Sequence, residues 1–165
     1  MEVGMDVNRI RILTVSVLLF MLCFWLFPLS MHADSEEKEV GRDGTFIAYA
    51  TGVVYDERTD LEWYAGPDKY RSWYDAKKWV ESLKVSGGGW RMPTKEELKT
   101  LYQKGAGTRN MTSLLKTTGW WVWGEARDSS SAWLFSFASG YESWGNRSDS
   151  NYHNGRGFAV RSRRQ

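Results

Sequence analysis

The chain has 165 residues with a net charge of +2, enough for one modest domain beside a targeting segment. So small a surplus of positive charge gives no ground for nucleic-acid binding. The single cysteine, Cys23, lies inside an apolar run, which excludes cysteine nucleophiles, zinc–thiolate sites and a disulfide scaffold from the remainder.

Arg9 and Arg11 precede the uncharged run Ile12–Met31, Pro28 falls near its end, and Ala33 supplies a small residue. This is a secretory signal pattern with cleavage expected after Ala33, making residues 1–33 a signal peptide. Met31 is large for its position, and the run approaches the roughly 20 residues that span a bilayer. An uncleaved N-terminal anchor through residues 12–31 therefore stands as the alternative. Either way the remainder is expected outside the cytoplasm, in the periplasm, at the cell surface or secreted.

Residues 34–44 are charged and contain glycine, and read as a linker. The domain is expected over 45–165. Val53–Tyr55 and Leu61–Tyr64 flank the polar cluster Asp56–Asp60, which predicts a hairpin. Asp56, Glu57, Asp60 and Glu62 read as a solvated turn, with a calcium loop as the alternative.

Ser72 and Asp75 have capping-box spacing at the start of a helix expected to run toward Gly87–Gly89. Ala76, Trp79, Val80 and Leu83 recur at i, i+3, i+4 and i+7, giving it one apolar face. In the stretch Gly87–Leu101, Thr94 and Glu97 form a second capping box, Pro93 and Leu98 a hydrophobic staple, and Gly105 a C-terminal cap. Every residue of this second helix has a structural task, so it reads as a fold element and not as catalytic machinery.

From Gly119 onward the pattern is of short strands. Trp120–Ala126 precedes Ala132–Trp144, which is broken by a turn at Ala138–Gly140. Trp133, Phe135 and Phe137 share one face by alternation, and Trp121 and Trp123 share a face opposite Trp120. Asn146–Gly157 is a long polar loop. Phe158–Arg164 closes the domain, with Phe158 and Val160 on one face and Arg161 and Arg163 on the other. The order of hairpin, two helices and a mainly antiparallel sheet is α+β.

This ordered set resembles the C-type lectin-like fold. More narrowly, it resembles the family named for the C-terminal domain of the Legionella collagen-like protein. The likeness rests on "GVVYDERTDLEWY", on "SWYDAKKWVESL" followed by "GGGWRMPTKEELKTL", on "WVWGEA", and on "AWLFSFASGYES" followed by "GFAVRSRR". It covers roughly Gly52 to Arg164. The resemblance implies a binding domain, with glycans, sulfated ones included, among the expected ligands. The "WRMPT" piece is also similar to the helix start of formylglycine-generating enzymes. Their late cysteines are missing here, so that activity is not carried over. Trp90, Arg91, Pro93, Thr94 and Glu97 are then a fold signature. Trp90 is expected to anchor the glycine hinge, and Arg91 to hold carboxylates or carbonyls at the helix junction.

His153 sits in the polar loop with no nucleophile beside it in sequence, and Glu125 with Asp128 has nothing to mark it as an acid–base pair. No catalytic residue is expected. The candidate binding surface is the loop Ser143–Gly157. Trp144 and Tyr152 would stack on sugar faces, Asn146, Asp149 and Asn151 would hydrogen-bond, and Arg147 and Arg156 would pair with sulfate or carboxylate. The alternative is docking on an envelope protein through exposed tryptophan, for which exposure of Trp120 is the diagnostic.

Overall fold

A computed structural model describes residues 38–148 and 155–163. The run Ile12–Met31, the cleavage position and Asp149, Asn151, Tyr152, His153 and Arg164 lie outside the described residues. The chain divides into two compact units, Met1–Ser35 and Glu36–Gln165. All the elements below belong to the second.

Local turn chemistry builds the first four strands. β1 (Glu39–Asp43) turns through Gly44 into β2 (Phe46–Tyr49), which pairs with β3 (Val54–Asp56), which pairs with β4 (Leu61–Ala65), each antiparallel. The β3–β4 hairpin is the expected one. Glu39–Asp43, read from its charges as linker, is instead an edge strand. Its side chains are mostly exposed, so charge carries no burial cost there, and pairing with β2 decides the conformation.

α1 (Trp73–Ser82) begins at Ser72, whose Oγ accepts from Asp75 N at 3.1 Å. It is shorter than its sequence suggests. It stops at Ser82, and Val85–Gly87 forms a separate 3-10 turn in which Ser86 has φ 46°. α2 (Lys95–Leu101) has its capping box complete: Glu97 N donates to Thr94 Oγ1 at 3.0 Å and Thr94 N to Glu97 Oε2 at 2.8 Å. It ends at Leu101 with Tyr102 as cap, so Gly105 does not close it. Gly105 lies in the following turn and donates to Asn110 Oδ1.

β5 (Trp121–Ala126), β6 (Ser131–Ser136) and β7 (Tyr141–Asn146) form an antiparallel meander. β8 (Arg156–Ser162) lies between β4, antiparallel to it, and β5, parallel to it. The result among the described residues is one eight-stranded sheet in the order β1-β2-β3-β4-β8-β5-β6-β7 with two α-helices, an α+β architecture.

Both faces of the sheet are covered. Trp63, Phe135, Phe137 and Phe158 pack with Leu98 and Leu101 of α2 on one face. Trp123, Leu134 and Ala159 pack with Trp73, Ala76 and Val80 of α1 on the other. Each fully buried phenylalanine contributes roughly 1.5–3 kcal/mol of hydrophobic stabilisation. Leu134 and Phe135 are therefore both core. Of the three aromatics expected on one face, Phe135 and Phe137 are buried and Trp133 is half-buried.

The central place of β8 changes the reading of its arginines. Arg161, on the face opposite Phe158 and Val160, is 6% exposed and paired with Glu62. Glu62 leaves the solvated turn expected of it. Sequence gives no sign of this, because the partners sit on strands far apart in the chain.

Candidate functional site

The segment from Trp90 to Glu97 is fastened by a set of local and long-range hydrogen bonds. Trp90 is buried and donates Nε1 to Val85 O at 3.0 Å, fastening the glycine-rich segment. Arg91 holds Glu97 through two hydrogen bonds, at 2.7 and 2.5 Å, while its backbone exchanges two 3.0 Å bonds with Val160. Pro93 is buried, and its carbonyl accepts from Glu125 N at 2.8 Å. Together these lock α2 onto the sheet.

That fixed helix faces an exposed aromatic row. The β6–β7 register sets Trp133 directly opposite Trp144, so the two indoles share a face and meet edge-on, with ring centroids 6.4 Å apart. Trp144 is 51% exposed. The Arg127 guanidinium lies 4.4 Å from the Trp144 ring and 5.7 Å from Trp133, and Lys95 Nζ lies 4.4 Å from Trp133. The sequence Lys95–Trp133–Arg127–Trp144 thus alternates cation and ring along the margin of the sheet.

The carboxylates nearby are occupied. Glu142 accepts from Lys95 at 3.1 Å and Lys99 at 3.3 Å, and Lys95 first of all holds its pKa down. Asp128 accepts from the Ser131 hydroxyl, from Ser130 N at 2.8 Å and from Ser131 N at 2.7 Å, which hold it well below the usual carboxylate range. It closes the β5–β6 turn and stands 4.0 Å from Arg127.

Among the described loop candidates, Arg147 and Arg156 are held by partners other than Trp144. Arg147 lies on the α1 side, 3.9 Å over the Trp73 ring and 4.7 Å from Tyr74, and Nη1 donates to Asp128 O and Ser129 O. It is a clamp between a turn and a helix start. Asn146 is exposed, but its Oδ1 accepts from Ser148 N and Oγ within a local turn. Arg156 is 6% exposed, donates Nε to Asp68 Oδ1 at 2.7 Å and lies over Tyr70. Trp144 and Asn146 are the exposed members of the described set. Asp149, Asn151 and Tyr152 lie outside the described residues.

Reading the sequence missed Lys95, Arg127 and the role of Trp133. The expected turn at Ala138–Gly140 would set Trp133 opposite Gly145; the observed turn includes Phe137, pairs Ser136 with Tyr141 and so brings Trp133 opposite Trp144. The cations come from a helix and another turn, which only tertiary structure brings close.

The four acids of the first hairpin do not converge. Asp56 is fully buried and accepts from Thr45, Arg58 and Thr59; Glu57 pairs with Arg42; Asp60 accepts from Tyr55; Glu62 pairs with Arg161. This donor set does not fit a calcium loop. Among the described residues no group of three or more His, Cys, Asp or Glu side chains could hold a metal. Among them, too, no helix is long and apolar enough to cross a membrane.

A family model described as the Lcl C-terminal domain matches residues 52–156. No curated protein matches the chain.

Proposed function

The chain belongs to the Lcl C-terminal domain family, and on that premise we propose that it is an exported, non-catalytic binding module of C-type lectin-like type. Its ligand is a glycan of the cell envelope or surface, and its contact element is the Trp144 row. The observation that carries this reading is the setting of Trp144: a half-exposed indole on a rigid strand, oriented by Trp133 and Arg127. A ring fixed before binding loses little entropy when a sugar face stacks on it. Arg127 and Lys99 at the rim favour acidic or sulfated sugars. The non-catalytic part rests on Glu142 and Asp128, both committed to internal donors.

Docking on an envelope protein is the second reading, favoured by Trp120, which is 38% exposed with Arg109 stacked 4.3 Å from its ring. A glycan-array screen of the full chain, run with calcium and with chelator, separates the two. Binding to acidic or sulfated glycans that weakens with salt and is lost in Trp144→Ala supports the first. A blank array in both conditions overturns it and moves the assignment to protein docking.

A further inference from the structure

Between α2 and β5 the chain runs from Tyr102 to Trp120 without a helix or strand. That exceeds the roughly 12–15 residues usual for a structureless connection, and such loops are as a rule either functional or disordered. This one is tied down throughout. Gln103 N donates to Asn110 O, Asn110 Nδ2 to Phe137 O, Thr112 Oγ1 to Asp43, and Thr118 N to Asp68. Asn110, at φ 54°, is a residue type that tolerates the left-handed region. The loop is built, not slack.

It encloses a cleft of about 270 Å³, lined by Arg109, Ser113, Lys116, Thr117, Thr118 and Asp68 among others. Asp68 is taken by Arg156 Nε at 2.7 Å, Thr118 N at 2.9 Å and Thr117 Oγ1 at 3.3 Å, so it serves as the internal counter-ion of Arg156. Asp43, close to Thr112, accepts that hydroxyl at 2.7 Å. Two further cations line the cleft. Arg109 is oriented by its donation to Thr118 O and Thr108 O, each at 3.0 Å, and by the Trp120 ring. Lys116 is exposed and makes no ion pair among the described residues. Two cations beside hydroxyl-bearing walls, with the cleft's one carboxylate already neutralised, attract an anion and supply donors to it.

We infer that this cleft is a second binding site, taking a small ligand that carries an oxyanion, a carboxylate or a sulfate ester, held between Arg109 and Lys116. Its volume falls just below the range of about 300–1,000 Å³ typical of small-molecule pockets, which limits the occupant to about one sugar ring. The site does not depend on the Trp144 reading, because the cleft borders the start of β5, whereas Trp133 and Trp144 meet toward the opposite end of the β5–β7 meander.

The test is a titration of the isotope-labelled full chain in detergent, read by backbone amide shifts, with glucuronate, glucose 6-sulfate and glucose as probes. Either acidic sugar should shift the amides of residues 108–118, while glucose leaves them in place. Which acid binds tighter identifies the natural oxyanion. Lys116→Ala should weaken the acidic probe at least fivefold, Lys116→Arg should retain it, and Trp144→Ala should leave it unchanged. Lys116 is exposed and has no ion-pair partner among the described residues, so its replacement leaves the fold intact. Equal shifts with glucose, no shifts in this segment, or unaltered affinity in Lys116→Ala would each overturn the assignment.

Discussion

Arg161 Nε donates to Glu62 Oε2 at 2.6 Å across the β4–β8 pair, with both side chains buried. Arg161 Nη1 also donates to Ser86 O and Gly88 O, each at 2.6 Å, and the guanidinium lies 4.4 Å from the Trp90 ring. One arginine thus joins the closing strand, the first hairpin and the glycine-rich turn before α2. Glu62→Ala should cost about 3–5 kcal/mol, since it leaves a buried cation without its carboxylate. The double change Glu62→Leu with Arg161→Met should recover most of that loss. Urea denaturation of the three chains checks both, and a single-variant loss under about 1 kcal/mol would show that the pair does not hold the strands.

The capping box of α2 supplies a local test. Thr94→Ala removes the acceptor for Glu97 N and should destabilise by about 1 kcal/mol, while Thr94→Ser should stay close to the parent. Arg91 limits the damage, because it holds the Glu97 carboxylate at 2.5 and 2.7 Å independently of Thr94. Thermal melts of both variants measure the difference. Equal melting of the two would mean that the hydroxyl contributes nothing.

These two sites show how far the sequence could be read. Ser72, Thr94 and Glu97 announce helix starts because capping acts over three residues, and Asp56–Asp60 announces a hairpin for the same local reason. Arg161 and Arg156 announced nothing. Alternation set Arg161 opposite Phe158 and Val160, but could not say that β8 is central or that a carboxylate waits on β4. Arg147 seemed a free ligand group for a similar reason: its aromatic shelf, Trp73 and Tyr74, begins a helix far earlier in the chain. β1 was missed because an exposed edge strand with a register shift beside Gly41 has no hydrophobic period to read. In the site, the hairpin and the alternation of its aromatics were legible, but the Trp133–Trp144 pairing hangs on a one-residue difference in turn length, and the cations come from other elements.

Asp68 predicts an acid-sensitive joint. Burial pushes its carboxyl up, but donation from Arg156 and Thr118 outweighs this and holds it at about 2, below the ordinary 3.8. A depressed carboxylate adds stability above the unfolded value, and the contribution is lost as pH falls from about 4 toward 2. With 34% of the side chain exposed, solvent screening limits the contribution to about 1 kcal/mol. Asp68→Asn should therefore be less stable than the parent at pH 6, and the gap should narrow by about that amount at pH 2. A gap of constant size, measured by denaturation at both values, would assign its role to packing and not to charge.

Trp144 separates binding from folding. Half of its surface is in solvent, and no hydrogen bond of the sheet depends on its indole, so Trp144→Ala should change stability by no more than about 1 kcal/mol. Its loss should still reduce glycan affinity about tenfold or more, in the range of an aromatic contact residue worth above 1 kcal/mol. Arg127→Ala should weaken the same ligand less, through lost orientation of the ring and lost charge at the rim. Because Arg127 lies 4.4 Å from the Trp144 ring, the two effects belong to one unit. The double variant should therefore bind only slightly worse than Trp144→Ala alone, a non-additivity expected of residues in contact. Fully additive losses would mean that ring and guanidinium touch the ligand separately. Unchanged binding in Trp144→Ala, with the melting curve intact, would remove this face from the binding surface altogether.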